Sequence, residues 1–279
     1  RRTRDLWFGS HLLSEVSKAV AKMIEEEQGP DSLIFPSPGN SESLVKGSEL
    51  NVANVILAKV RDPERVFESA RQAAQARWQE FAGEALEKIR ECGLRVSADL
   101  WNSQVEDVIE CYGAWIPLEG DYRQARKQVM RLLAARKQCR DFKPNAGRRG
   151  VPKSSLDGLR ESVIEGKAGV KARARLRIKE GEQLCAIGLT KRIAGGEQAF
   201  PSVSRVAADP WIRAVSSDPD FREPWESLKK TCGELEKLGL VAKVGGNESY
   251  RQSFPYEGTV LFRSRLKDIL EDSFRTIEA

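Results

Sequence analysis

The opening residues constrain the fold more than any other stretch of the chain. In RRTRDLWFGSHLLSEVSKAVAKMI, the residues Leu6, Leu13, Val16, Val20 and Ile24 recur at steps of seven, three, four and four. That spacing stacks side chains on one face of a helix, and such a stripe must be laid against a sheet or another helix. The following residues supply both. Ser32 to Pro36 reads as a short strand stopped by Pro36 and Pro38, and a Gly/Ser/Asn-rich loop runs from Ser37 to Ser48. Asn51 to Val60 reads as a second strand, apolar enough for burial on both faces. Asp62-Pro63-Glu64 then opens a long helix, with Asp62 as N-cap, Pro63 at the first helical position and Gly93 as the stop. Helix, strand, strand, helix is most of a βαββαβ unit, lacking its first strand.

Inside the first helix, Gly9-Ser10 stands out, because an interior helical glycine costs about 1 kcal/mol relative to alanine. The pair marks a close approach by another backbone or a ligand, or else a helix–helix contact that needs a small residue. Further on, Cys111 to Pro117 reads as a strand, and Asp121 to Phe142 as a helix with Ala125, Val129, Leu132 and Leu133 at helical spacing. From Arg123 to Lys153 there are eleven Lys and Arg residues against the single acid Asp141. Such a run is either a solvated face or a surface that tracks phosphates, and aromatic residues between the cations are few. Lys171 to Lys179 alternates basic and apolar residues, as a strand-like arm or an exposed edge would. Helices are expected over Leu184–Arg192, from near Ser202, over Pro224–Gly239 and over Ser264–Ile277.

A chain of 279 residues buries a substantial core and ordinarily holds two domains. No apolar run approaches the roughly 20 residues that span a bilayer. The five cysteines are scattered without a C-x-x-C pair, which points to reduced thiols in the cytoplasm. His11 is the single histidine, so a Ser-His-Asp or Cys-His arrangement would have to use it. Neither a Walker motif nor G-x-G-x-x-G occurs. No residue is assigned a catalytic role.

Several segments resemble one family. Arg4 to Ser14 (RDLWFGSHLLS) is similar to the "RDLWxGSxLLS" segment of the large subunit of type III-B (Cmr) CRISPR effector complexes. "LIFPSP" at Leu33–Pro38 and "LLAARKQCRDF" at Leu132–Phe142 also resemble that family. "ANVILA" at Ala53–Ala58 stands where many members have "PNRFLA", with Val55 in place of the arginine. The resemblance implies an α+β fold: a ferredoxin-like palm of the cyclase or polymerase type over 1–142, lacking its first strand. A mainly helical, degenerate zinc-type domain would follow over 143–279. With no initiator Met and a start in mid-helix, the chain reads as a piece of the parent.

In many members "KCxLCG" supplies half of a four-cysteine zinc site. Here Ser154, Asp157 and Gly188 stand at three of the ligand positions and only Cys185 remains, so no zinc is expected. The resemblance further implies ATP at an interface with a second palm, with Gly9, Ser10 and Ser14 lining the nucleotide. Arg136, Lys137, Arg140, Arg148 and Arg149 would face RNA or neighbouring subunits. The partners implied are other Cmr-type subunits, guide RNA and target RNA, and no membrane. In the family, oligoadenylate synthesis and its divalent metal depend on a GG[DE]D motif. Gly195-Gly196-Glu197-Gln198 and Gly245-Gly246-Asn247-Glu248 do not match it, so the metal would belong to the parent alone. Two functions are left open: one wall of a nucleotide site with a docking surface, or a non-catalytic RNA-binding and assembly module.

Overall fold

The computed structural model describes residues 3–139, 147–166, 170–176, 178–194, 201, 203–237, 241, 243–244 and 252–263. The chain divides into two compact units, Gly9–Ala194 and Gly195–Ala279 with Arg1–Phe8. The boundary between the compact units falls at 194/195. Residues 147–194 pack with what precedes them.

The larger unit takes α1 (Thr3–Gln28) from Gly9 on and continues with β1 (Leu33–Phe35), β2 (Leu57–Ala58) and α2 (Pro63–Glu91). The two strands form an antiparallel pair in which Leu33 faces Ala58. The second strand is far shorter than the ten residues its composition predicts. α2 starts and stops as its sequence requires. Asp62 accepts the Arg65 N–H at 3.2 Å, and Gly93, at φ 75°, ends the helix in the left-handed region that suits glycine. Its buried residues, among them Trp78, Phe81, Ala85 and Ile89, run along one face.

α1 buries only part of the stripe that its periodicity suggests. Leu6 and Leu13 are exposed, while Leu12, Val16, Ala21 and Ile24 are buried beside Ser14, Glu15, Ser17 and Lys18. The polar members of this set grip the loop that follows. Ser14 Oγ accepts the Val52 N–H at 2.8 Å, Glu15 Oε2 accepts the Gly47 N–H at 3.2 Å, and Lys18 Nζ donates to the Ser48 carbonyl at 3.0 Å. Lys18 and Glu15 also pair at 2.5 Å. Both are buried charges, and the pairing offsets their desolvation.

α3 (Ala98–Glu106) and α6 (Ala186–Ile193) pack on α2 and on each other. Gln104 joins them to the chain between, donating to the Glu161 carbonyl and accepting the Ala186 N–H, each at 2.9 Å. α4 (Tyr122–Gln138) forms as the sequence predicts, but Ala125 is its only buried residue. Lys171–Lys179 is not strand-like: α5 (Val170–Arg175) covers its first half. Ala172 and Leu176, four residues apart, are both buried, so the helical spacing prevails over the alternation.

The second corrected strand is Cys111–Pro117. From 109 to 119 the chain runs without turn, bend or ladder. Among the described residues it makes no backbone-to-backbone hydrogen bond there, because no strand lies alongside to accept it.

In the smaller unit, α7 (Val203–Ser217) and α8 (Arg222–Lys237) close over Ile212, Trp225, Cys232, Phe254 and Tyr256. Arg205 is wholly buried and paired with Asp209 at 2.8 Å. The expected cap Ser202, the expected helix 264–277 and both Gly-Gly motifs lie outside the described residues.

Candidate nucleic-acid and subunit interface

α4 carries Arg123, Arg126, Lys127, Arg131, Arg136 and Lys137 and no acid, and all six cations are exposed. None of them forms an ion pair among the described residues. Like charges four apart, as in Arg123–Lys127 and Lys127–Arg131, each destabilise an isolated helix by about 0.2–0.5 kcal/mol. Asp121 partly offsets this by accepting the Arg123 N–H at 2.9 Å as the N-cap. At the other end, Arg136 donates to the Cys139 carbonyl at 2.9 Å and lies 5.6 Å from the centre of the Tyr112 ring. Lys137 is exposed in the same last turn, and Arg140 lies outside the described residues.

The basic turn Gly147-Arg148-Arg149-Gly150 is a separate element, with both arginine side chains exposed. Buried Glu161 holds it. Glu161 Oε1 accepts the Arg148 N–H at 3.0 Å and the Lys153 ammonium at 2.6 Å. The Lys153 hydrogen bond, with the Arg148 amide adding to it, holds the Glu161 carboxyl down at about 2. A methyl group on Gly147 would lie 3.2 Å from that same carboxylate oxygen, and Gly147 sits at φ 63°. The turn is thus fixed by its glycines and by one acid, leaving its cations free to meet an anion.

The three residues assigned to a nucleotide divide. Ser14 is buried with its hydroxyl engaged by Val52. Ser10 is exposed, and Gly9 is half-buried beneath a side chain that sequence reasoning missed. A methyl group on Gly9 would lie 3.4 Å from Lys191 Cε and 3.5 Å from its Nζ. Lys191 sits on α6, 182 positions away in sequence by the difference of the two numbers, so no local signal relates the two. His11 is half-buried near Glu15, at 3.9 Å, and edge-on to Phe81; burial holds its imidazole below its ordinary value.

The four zinc-type positions do come together. Cys185 Sγ lies 3.7 Å from Asp157 Oδ2 and accepts the Gly188 N–H at 3.4 Å as the N-cap of α6. Ser154 is buried alongside, and a methyl group on Gly188 would stand 3.1 Å from Leu156. Burial raises the Cys185 thiol above its ordinary value. Among the described residues, no group of three or more His, Cys, Asp or Glu is placed to hold a metal ion. No helix among them is long and apolar enough to cross a membrane.

Residues 1–83 match the family model described as CRISPR-associated protein Cmr2, N-terminal. That match identifies this part of the chain as the N-terminal region of Cmr2, the large subunit of type III-B CRISPR complexes. The family implies a place in a multi-subunit complex. No curated protein matches the chain.

Proposed function

We propose that this chain is an RNA- and subunit-docking module of a type III-B effector, using α4 and the 147–150 turn, both of which follow the matched residues 1–83. The observation that carries this reading is α4 itself. Six exposed cations, none ion-paired among the described residues, stand on a helix with a single buried residue. Packing explains little of such a helix, whereas a polyanion relieves its self-repulsion and releases counterions on binding. Guide RNA and target RNA, or a neighbouring subunit that carries them, have that chemistry. The test is reconstitution with guide RNA and the other Cmr-type subunits, using R136E/K137E/R140E and, separately, R148E/R149E. Assembly is expected to weaken in each variant, and wild-type assembly to fall steeply as salt rises. Unchanged assembly at low salt would reduce the run to a solvated face.

A second reading concerns ATP. Lys191 supports it, since its ammonium beside Gly9 and exposed Ser10 adds a phosphate-seeking charge to the nucleotide wall expected at that helix. The cyclic oligoadenylate chemistry of the parent, with its divalent metal, would be completed by a second palm carrying GG[DE]D. In the complete complex, G9V is expected to depress nucleotide binding without unfolding the protein. Normal ATP affinity in that variant would leave Gly9 as a packing residue.

A further inference from the structure

α7 is apolar on two opposite faces. The inner face sends Ala208 and Ile212 into the core of the smaller unit, beside Trp225 and Phe254. Val203, Val206, Ala207, Pro210, Trp211 and Ala214 lie on the outer face, and all six are exposed. They recur at steps of three, one, three, one and three, which is a single stripe of a helix. No charge interrupts the stripe. The three charged residues of α7 form a row of their own and hold one another, Arg205 pairing with Asp209 at 2.8 Å and Asp209 with Arg213 at 2.6 Å. Trp211 stands edge-on to Trp225 at 6.0 Å and is still 51% exposed. A contiguous apolar face of this kind marks a contact, and a helix apolar on both faces belongs between two layers.

The path of the chain supplies an occupant. The 3-10 turn Gly258–Leu261 is seated on the first turn of α7, where a methyl group on Gly258 would meet the Ser204 carbonyl and the Arg205 amide. Phe262 comes next, apolar and 37% exposed, and residues 264–277 follow outside the described residues. In sequence, Leu266, Ile269, Leu270, Phe274 and Ile277 repeat the spacing of the α7 stripe, with Ser273 in the place of Pro210. The lengths agree as well: a helix over 264–277 measures about 21 Å, and the fifteen residues of α7 about 22 Å. The sizes are complementary. α7 offers chiefly Val, Ala and Pro, which let a second axis approach, and the segment offers Leu, Ile and Phe, which fill the space between.

We propose that the outer face of α7 is the seat of residues 264–277 of the same chain, packed there as an amphipathic helix. Because the chain sets out from the first turn of α7, this helix runs parallel to α7, its first turn near Val203 and its last near Ala214. α7 then lies between two apolar layers, the core around Trp225 and Phe254 on one side and the segment on the other. The proposal is independent of the docking reading, which concerns α4 and the 147–150 turn.

The test uses the 279-residue protein and amide hydrogen exchange. Exchange at 266–277 is expected to be at least about tenfold slower than in the isolated peptide 262–279. V206D/A207D puts two carboxylates on the stripe and leaves the core residues alone. It is expected to abolish the slowing at 266–277 while the amides of 225–232 on α8 keep theirs. A207C reads the same contact from the side of α7. Its thiol is expected to react with a maleimide at least about tenfold more slowly than exposed Cys139, and as fast as Cys139 once L270D is added. This pair decides the matter if V206D/A207D also loosens α8. Exchange at 266–277 as fast as in the peptide would overturn the proposal. So would slow exchange that survives V206D/A207D, or an A207C thiol that stays slow with L270D, since either seats the segment elsewhere. Slowing that fades as the protein is diluted would give the face to a second copy and overturn it too.

Discussion

Glu161 shows how one acid organises a basic surface. Its carboxyl titrates near 2 in the folded chain because the Lys153 hydrogen bond favours the ionised form, against an ordinary value of 4.5. The stabilisation is therefore complete above about pH 4.5 and is lost as pH falls through that value toward 2. Urea midpoints measured from pH 7 to pH 2.5 are expected to fall more steeply for wild type than for E161Q in that window, and E161Q is expected to be less stable at pH 7. Two glycines make a matched pair of opposite sign. A methyl group on Gly258 would meet the Ser204 carbonyl and the Arg205 amide at 2.5 Å, and backbone cannot step aside. G258A is expected to cost about 3 kcal/mol. Gly83 lies inside α2 with nothing within 4 Å of an added methyl, so G83A is expected to stabilise by about 1 kcal/mol. Thermal denaturation of the two variants checks both signs.

At the scale of elements, caps and breakers were legible and tertiary partners were not. Asp62, Pro63 and Gly93 act within a few residues of themselves, so α2 could be bounded from its sequence. D62A is expected to destabilise by about 1 kcal/mol, read from the denaturant midpoint. The stripe on α1 was legible as a helical period but not in its fate, because Lys18, Glu15 and Ser14 take buried positions through bonds to a loop some 30 or more residues away. The strand character of Cys111–Pro117 was legible too. What sequence could not show is that no strand lies beside it, since a ladder is a property of two segments. The candidate site divides in the same way. A cationic helix is visible in composition, whereas Lys191 beside Gly9 depends on the fold.

For the whole molecule, the absence of three thiolates at the zinc-type positions has a bulk consequence. Cys185, Ser154, Asp157 and Leu156 are packed against one another around Gly188. Thermal midpoints are expected to be the same with and without a strong chelator, and elemental analysis is expected to find well under one zinc per chain. Thiol labelling should follow burial: Cys139 is exposed and reacts first, while Cys185 and Cys232, buried and raised above their ordinary values, react only on unfolding.

The grip of α1 on its neighbouring loop bears on how such chains can diverge. Three of the loop atoms held by the helix, the Gly47 and Val52 amides and the Ser48 carbonyl, belong to the main chain. Such atoms are present in any residue but proline, so the exposed loop positions Ser41, Glu42, Val45, Glu49 and Asn51 are free to drift in sequence, whereas buried Leu44 and Val52, Gly47 at φ 80° and Ser48, whose hydroxyl also meets Lys18, are not. The helix has no such freedom. Ser14, Glu15 and Lys18 hold by their side chains, and a change at any of them forfeits a bond that no loop substitution restores. Sequence drift in homologous chains should therefore be lopsided across this contact, with the three helix positions fixed and the exposed positions of the loop variable.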